Sequence, residues 1–355
     1  MTNPNISKMA VLTSTTTASL PLHTAVISND ETKLYNLLIN VNSTMIDESD
    51  SYGRAPLHWA AMLGHDHLVQ MLLLANACPN MQDINGNTPL HLVYTKNIRS
   101  ARLLLNGINT STSTTSDTNT SNIINNADPD IQNYEGETPL FTHASKGNAR
   151  IVKILLRYKA NQSIPNNANV VPLYMAITNG HVVTVELLLT YANSNTSIIN
   201  GTNDVGETLL HAAALIQGPT AEKMIYLLCT QGARFTTDKF NSTPLHWASA
   251  HNNHNAAKLF LEYGKATNTI HSFINHRDNL GNTPLHYAAW HGYDTVAYIL
   301  LTYNADPTIR DTYGLTPKDY AVRGGKKHII DMIDQILMTY ASASASTNTN
   351  TTQNN

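Results

Sequence analysis

The sequence predicts an all-α repeat solenoid, in which short helix pairs stack side by side. Three observations predict it. The first is a recurring signature, Gly-Asn-Thr-Pro-Leu-His followed by small apolar residues. Its clearest copies are Gly53-Arg54-Ala55-Pro56-Leu57-His58-Trp59-Ala60-Ala61, Gly86-Asn87-Thr88-Pro89-Leu90-His91, Asn241-Ser242-Thr243-Pro244-Leu245-His246-Trp247-Ala248 and Gly281-Asn282-Thr283-Pro284-Leu285-His286-Tyr287-Ala288-Ala289. Weaker copies sit at Pro21-Leu22-His23, Thr138-Pro139-Leu140-Phe141, Val171-Pro172-Leu173-Tyr174, Thr208-Leu209-Leu210-His211 and Thr316-Pro317-Lys318-Asp319. The second is the spacing. From one Pro position to the next it runs 35, 33, 50, 33, 37, 35, 40 and 33, so the period is close to 33 and the excesses are insertions. The third is a Leu-rich run after each signature, as in Gly64-His65, Leu68-Val69, Leu72-Leu73-Leu74 and Asn76-Ala77.

Each element follows from its residues. Thr before Pro caps a helix, and Pro fits the first helical position, where its missing N–H is no loss. Leu and the two alanines then share one face, and the alanines let neighbouring helices approach closely. Gly64 and Asn179-Gly180 end the first helix, where a left-handed residue is needed. The Leu run is the buried stripe of the second helix. After it stand Asn76, Asn304 or Lys159. Asn tolerates the left-handed conformation; Lys159 does not, which predicts a looser turn there.

Along the chain, residues 1–18 are Ser/Thr-rich and expected to be disordered. A repeat domain of about nine units is expected over 19–338, and 339–355 reads as a disordered, low-complexity tail. The first unit, Leu20 to Asp47, lacks the Gly turn and reads as an N-terminal cap. The last, Asp311 to Leu337, replaces Leu-His by Lys318-Asp319 and carries Lys326-Lys327-His328, as a water-facing C-terminal cap should. The longest insertion, about 107–125, contains Thr110 to Ser116 and is expected to be a flexible loop, either neutral or phosphorylation-controlled. Shorter insertions fall near 193–199 and 265–273, and Gln217-Gly218-Pro219-Thr220 stretches one inter-helix turn.

The pattern resembles the ankyrin repeat family over roughly residues 19–338. The resemblance implies short β-hairpin loops between units, each unit being a β-turn and two helices. It also implies partner contacts at the hairpin tips and on the inner face of the first helix. Carried onto this chain, the tips are Ser51, Tyr52 and Arg54; Ile84 and Asn85; Tyr134 and Glu135; Phe240; Leu280; and Tyr313. The positions before the Gly turn are Met62 and Leu63 in one unit, Trp290 and His291 in another. Of these, Tyr52, Arg54, Met62, Leu63, Tyr134, Glu135, Leu280, Trp290, His291 and Tyr313 are the candidate protein-binding residues. Aromatic anchors are common hot-spot material. Trp59, Trp247 and Tyr287 directly follow the repeated His and read as packing between units.

Charged residues make up 13% of the 355 residues and the formal charge is −3, so no basic stripe for nucleic acid is expected. Cys78 and Cys229 lie far apart, which suits a reduced, intracellular compartment. The only N-terminal apolar stretch, Met9-Ala10-Val11-Leu12, is too short for a signal peptide, and no run is long enough to span a membrane. Sequons such as Asn42-Ser43-Thr44, Asn161-Gln162-Ser163 and Asn241-Ser242-Thr243 are expected by chance in so Asn- and Thr-rich a chain.

No nucleophile elbow, phosphate loop, zinc-helix motif or Cys-x-x-Cys is present. His23, His58, His91, His211, His246 and His286 share one repeat position, so a structural hydrogen bond to neighbouring backbone accounts for them better than metal. His251 and His254 lack further ligands nearby. Neither metal nor cofactor is expected, and no enzyme activity.

The functional expectation is a non-enzymatic adaptor, scaffold or inhibitor in the cytoplasm or nucleus. Monomeric alone, it would bind another protein or an extended peptide on a concave face roughly 80–90 Å long, taking about 10 Å per helix pair. Nucleic acid, membrane insertion and a small-molecule substrate are not expected. Two alternatives stay open: a non-catalytic regulatory or substrate-binding subunit of a ubiquitin ligase, kinase or acyltransferase complex, and an effector acting in another cell.

Overall fold

A computed structural model of the chain describes residues 20–40, 43–94, 98–107, 126–192 and 196–349. The expected tail at 1–18 and insertion residues 108–125 lie outside them. Among the described residues all regular structure is helical. The chain divides into two compact halves, residues 1–176 and 177–355.

In the first half the helix pairs are Pro21–Ile27 with Glu31–Ile39, Pro56–Leu63 with Asp66–Leu74, Pro89–Leu92 with Arg99–Asn106, and Pro139–Ser145 with Ala149–Arg157. In the second half Val182–Ala192 is followed by Leu209–Ala214 with Pro219–Thr230, Pro244–Ala250 with His254–Ala266, Pro284–His291 with Asp294–Thr302, and Pro317–Arg323 with Lys327–Thr349. Within each half, first helices pack on first helices and second on second. This follows from the sequence pattern. Leu57, Ala60 and Ala61 bury one helix face completely, and Leu68, Val69 and Leu72 bury the stripe of its partner. Truncating such a Leu to Ala costs about 2–5 kcal/mol.

The repeated His closes one repeat onto the next. The Thr88 N–H donates to His91 Nδ1 at 3.0 Å, so the ring proton sits on Nε2, which donates to the Glu137 carbonyl at 2.9 Å. His58 reaches the Asn87 carbonyl, His246 that of Asn282 and His286 that of Leu315 in the same way. Burial pushes these rings toward the neutral form, with His91 and His246 held down to about 4. Where Phe141 replaces the His, buried His143 donates instead to the Leu90 carbonyl, and Thr138 Oγ1 accepts the Phe141 N–H. In the last repeat Asp319 takes the place of His and accepts from Thr316 N–H at 2.8 Å.

The loops between repeats are hairpin turns too short to hold a strand. Asp83 N–H donates to the Asn87 carbonyl and Gly86 N–H to that of Asp83, and within each half one further bond joins successive tips, as Tyr134 N–H to the Asn85 carbonyl. Gly86 is required there. Its φ is +79°, and a Cβ on it would lie 2.6 Å from the Tyr134 backbone nitrogen.

Two expectations are corrected. Lys159 does adopt the left-handed conformation, at φ 62°, and its turn is as tight as the others, with Ala160 N–H donating to the Leu155 carbonyl at 3.0 Å. Packing of Leu155 and Ala160 imposes the turn on a residue that disfavours it. The last helix runs from Lys327 to Thr349, well past 338. No Gly or Pro follows Gly325, and Ala341, Ala343 and Ala345 are strong helix formers; residues 350–355 lie outside the described ones. The insertion at 265–273 is also built in. It closes through a turn at Ile270–Ser272 onto buried Phe273, which stacks on Phe235 at 4.5 Å.

Candidate protein-binding surface

Each hairpin begins with Asp or Asn, whose Oδ1 accepts the N–H groups two and four residues on. Asp278 holds Leu280 and Asn282 in this way at 2.9 and 2.8 Å. Asp leaves a second oxygen needing a donor. That donor is an aromatic ring nine residues later: Trp59 for Asp50, Trp247 for Asp238, Tyr287 for Asp278 and Tyr320 for Asp311, at 2.8, 3.1, 2.7 and 2.6 Å. Asp83 is followed at that spacing by Leu92, and its Oδ2 faces Arg54 Nε at 3.5 Å instead. Where the hairpin starts with Asn133, Asn166 or Asn203, the ninth residue is Thr142, Met175 or Ala212, with no ring donor. Asn brings its own N–H in place of the second oxygen; Asn203 donates to Glu207 at 2.7 Å. Trp59, Trp247 and Tyr287 are thus packing residues, as expected, and also turn locks. The Asp-to-aromatic spacing was readable in the sequence.

Six nominated residues fall in the first half and four in the second. Tyr52, at a hairpin tip, is 39% exposed. Arg54 is not a free surface cation. Its guanidinium lies 5.5 Å from the Tyr52 ring and 5.3 Å from that of Trp59, and its side chain is 12% exposed. Met62 and Leu63 are half-buried at the end of their helix. Tyr134, 68% exposed, and Glu135 stand at another tip and border a cavity of about 470 Å³. Leu92 and Thr142 line it, smaller than the rings other repeats carry there. Burial and the neighbouring Glu135 hold Glu137, on its wall, above the usual carboxylate range.

In the second half, Leu280 and Tyr313 occupy successive tips, 50% and 72% exposed, tied by Thr312 N–H donating to the Leu280 carbonyl at 2.9 Å. Trp290 and His291 stack on each other at 5.7 Å. The stack extends in both directions. Tyr320 lies on Trp290 at 5.7 Å, and Tyr293 on His291 at 5.2 Å. Tyr320 shares the repeat position of Trp247 and Tyr287, so its presence on the helix was legible; its contact with Trp290 was not.

Among the described residues no group of three or more His, Cys, Asp or Glu side chains could hold a metal, and no helix is long and apolar enough to cross a membrane. Cys78 and Cys229 are free, and burial pushes the Cys229 thiol up to about 12.

A family model described as Ankyrin repeats (3 copies) matches residues 22–114, 112–200 and 210–311, most of the chain. The chain belongs to the ankyrin repeat family. Among curated proteins, these ankyrin repeats are similar to the B-cell lymphoma 3 protein homolog of Mus musculus, 28% identical over 55% of this chain and 40% of that protein. They are also similar to Mus musculus inversin, 29% identical over 59% of this chain and 21% of inversin. The Homo sapiens transient receptor potential cation channel subfamily A member 1 is 26% identical over 67% of this chain and 26% of the channel. The match therefore spans less than half the length of each of these relatives. Ankyrin repeats are protein–protein interaction modules, and that coarse function comes with the family.

Proposed function

We propose that this chain is a non-enzymatic binding module that holds a protein partner against the face made by its first helices and hairpin tips, the concave face of this family's architecture. It serves as an adaptor, scaffold or inhibitor within the cytoplasm or nucleus. One observation carries the reading. The aromatic rings that lock hairpins are tied inward to Asp carboxylates, whereas Tyr134, Trp290 and Tyr313 are 68%, 55% and 72% exposed at positions the repeat's own bonding leaves free. A face whose rings are already positioned loses little conformational freedom on binding.

The test replaces exposed Tyr52, Tyr134, Leu280, Trp290 and Tyr313 by Ala together and compares affinity capture from native lysate. We expect a partner held by the intact chain to be lost from the variant, with helical circular dichroism and melting unchanged. Half-buried Met62 and Leu63 are left in place so that folding is not disturbed. A folded variant that still captures the partner would move the site off this face.

A further inference from the structure

We propose that the surface around Trp290 takes an acidic segment of a partner protein, with an aromatic or aliphatic side chain of that segment seated on the Trp290 ring. The inference rests on the binding-face reading above and specifies its partner chemistry for the second half of the chain. The first ground is the stack itself. Tyr320, Trp290, His291 and Tyr293 form a ladder of four rings across two repeats. It is held from one end. Tyr320 hydroxyl donates to Asp311 Oδ2 at 2.6 Å, and Asp311 Oδ1 accepts the N–H groups of Tyr313 and Leu315 at 2.9 and 2.8 Å. Trp290 nevertheless keeps 55% of its surface open. A large ring that is both fixed and exposed is a preformed anchor site.

The second ground is charge. Arg323 stands 33 residues after Trp290, the same distance as Pro284 to Pro317, so it holds the Trp290 position in the next repeat. It is exposed. Lys326 stands 33 residues after Tyr293, and its side chain runs beside Gly292, where a Cβ would lie 2.6 Å from it. Exposed Lys327 follows. The carboxylates of the same elements are engaged or turned elsewhere. Asp311 locks its hairpin, Asp319 accepts both the N–H and the hydroxyl of Thr316 at 2.8 Å, and Asp294 lines a separate groove with Tyr298 and Asp331. The ring ladder is therefore flanked by Arg323, whose charge the nearby Asp319 carboxylate partly offsets, and by Lys326 and Lys327, which make no ion pair among the described residues. Three cations suit a short run of Asp or Glu better than a nucleic acid strand, which is followed by a longer basic track.

The test selects a phage-displayed library of random 12-residue peptides on the full chain and measures the winning peptides by fluorescence anisotropy. We expect winners enriched in Asp and Glu around a Trp, Phe or Leu. We expect binding at least tenfold weaker with Trp290→Ala and with the double charge reversal Arg323→Glu/Lys326→Glu, while melting stays unchanged. The charge-reversed chain changes only exposed or half-buried side chains, so it keeps the proposal testable if Trp290→Ala misfolds. Winners without acidic bias, or indifferent to these variants, would overturn the inference, as would an empty selection. Winners lost with Tyr134→Ala or Tyr52→Ala but kept with Trp290→Ala would leave the binding face standing and remove only this partner chemistry. Winners that ignore all five alanine positions would remove both. A labelled U20 oligonucleotide is the control: if it binds tightly and the same variants abolish this, the site reads nucleic acid and the peptide assignment falls.

Discussion

At the scale of single residues, the decisive pattern is the pairing of hairpin Asp with a ring nine residues later. An ionised carboxylate that has capped a turn still has an acceptor oxygen, and leaving it unmade costs about 1–3 kcal/mol when buried. We expect Trp247→Phe to lower stability by about that much, since it removes the donor to Asp238 at 3.1 Å and leaves a ring in place. Asp238→Asn should offset part of the loss, because the Asn133, Asn166 and Asn203 hairpins work without a ring donor. A double-mutant cycle by urea unfolding measures this; strictly additive effects would refute the coupling. The same rule separates structural from functional aromatics. Trp59, Trp247, Tyr287 and Tyr320 are bound to carboxylates, and Trp290 and Tyr313 have no Asp nine residues before them: those positions hold Gly281 and Asn304.

At the scale of elements, the Asn-rich composition has a use. Among the described non-Gly residues with positive φ, seven are Asn, from Asn29 to Asn304, and one is Lys159. Asn29, Asn76, Asn252, Asn268 and Asn304 leave a helix, and Asn169 and Asn241 hold the hairpin position that Gly86 and Gly281 take elsewhere, because the short polar side chain of Asn tolerates the left-handed region. Lys159 lacks that tolerance, so its turn carries strain of about 1–2 kcal/mol. We expect Lys159→Gly to stabilise the chain by about 0.5–1 kcal/mol, the relief exceeding the extra freedom Gly gives the unfolded state. A lower melting temperature would show that the Lys side chain contributes packing that outweighs the strain. The sequence showed the substitution but not its outcome. Whether a turn loosens depends on what Leu155 and Ala160 gain by burial. The final helix teaches the same lesson: low complexity at 339–349 is compatible with helix when Ala recurs and no breaker intervenes.

At the scale of the whole molecule, the bond between one repeat and the next depends on neutral histidine. The ring accepts at Nδ1 and donates at Nε2, so a second proton on Nδ1 removes the acceptor. Burial lowers the pKa of His58, His91, His143, His211, His246 and His286 in the folded state. The unfolded chain binds those protons near pH 6.5, so the stabilisation is complete above that pH and is lost as pH falls toward about 4, where burial holds His91, His143 and His246. Each of those three contributes on the order of 2–4 kcal/mol across the window. Asp47, Asp130 and Glu137, whose pKa values burial raises, act in the opposite direction, but they are fewer and only partly buried. We expect the urea midpoint to be flat between pH 6.5 and about 8, below the range where the unfolded Cys229 thiol ionises, and to fall steeply from pH 6.5 to pH 4; a midpoint that holds level across that lower range would refute the linkage. The sequence by itself determined the family, the register of the helix pairs and the shared role of the histidines, because each is written as a residue type at a fixed period. Tertiary structure alone decided which exposed candidates are free. Arg54 is consumed between two rings and an Asp of the next repeat, while Trp290 joins a ladder with Tyr320 from the following one. Such contacts depend on side-chain direction between neighbouring repeats, and a one-dimensional period carries no record of that.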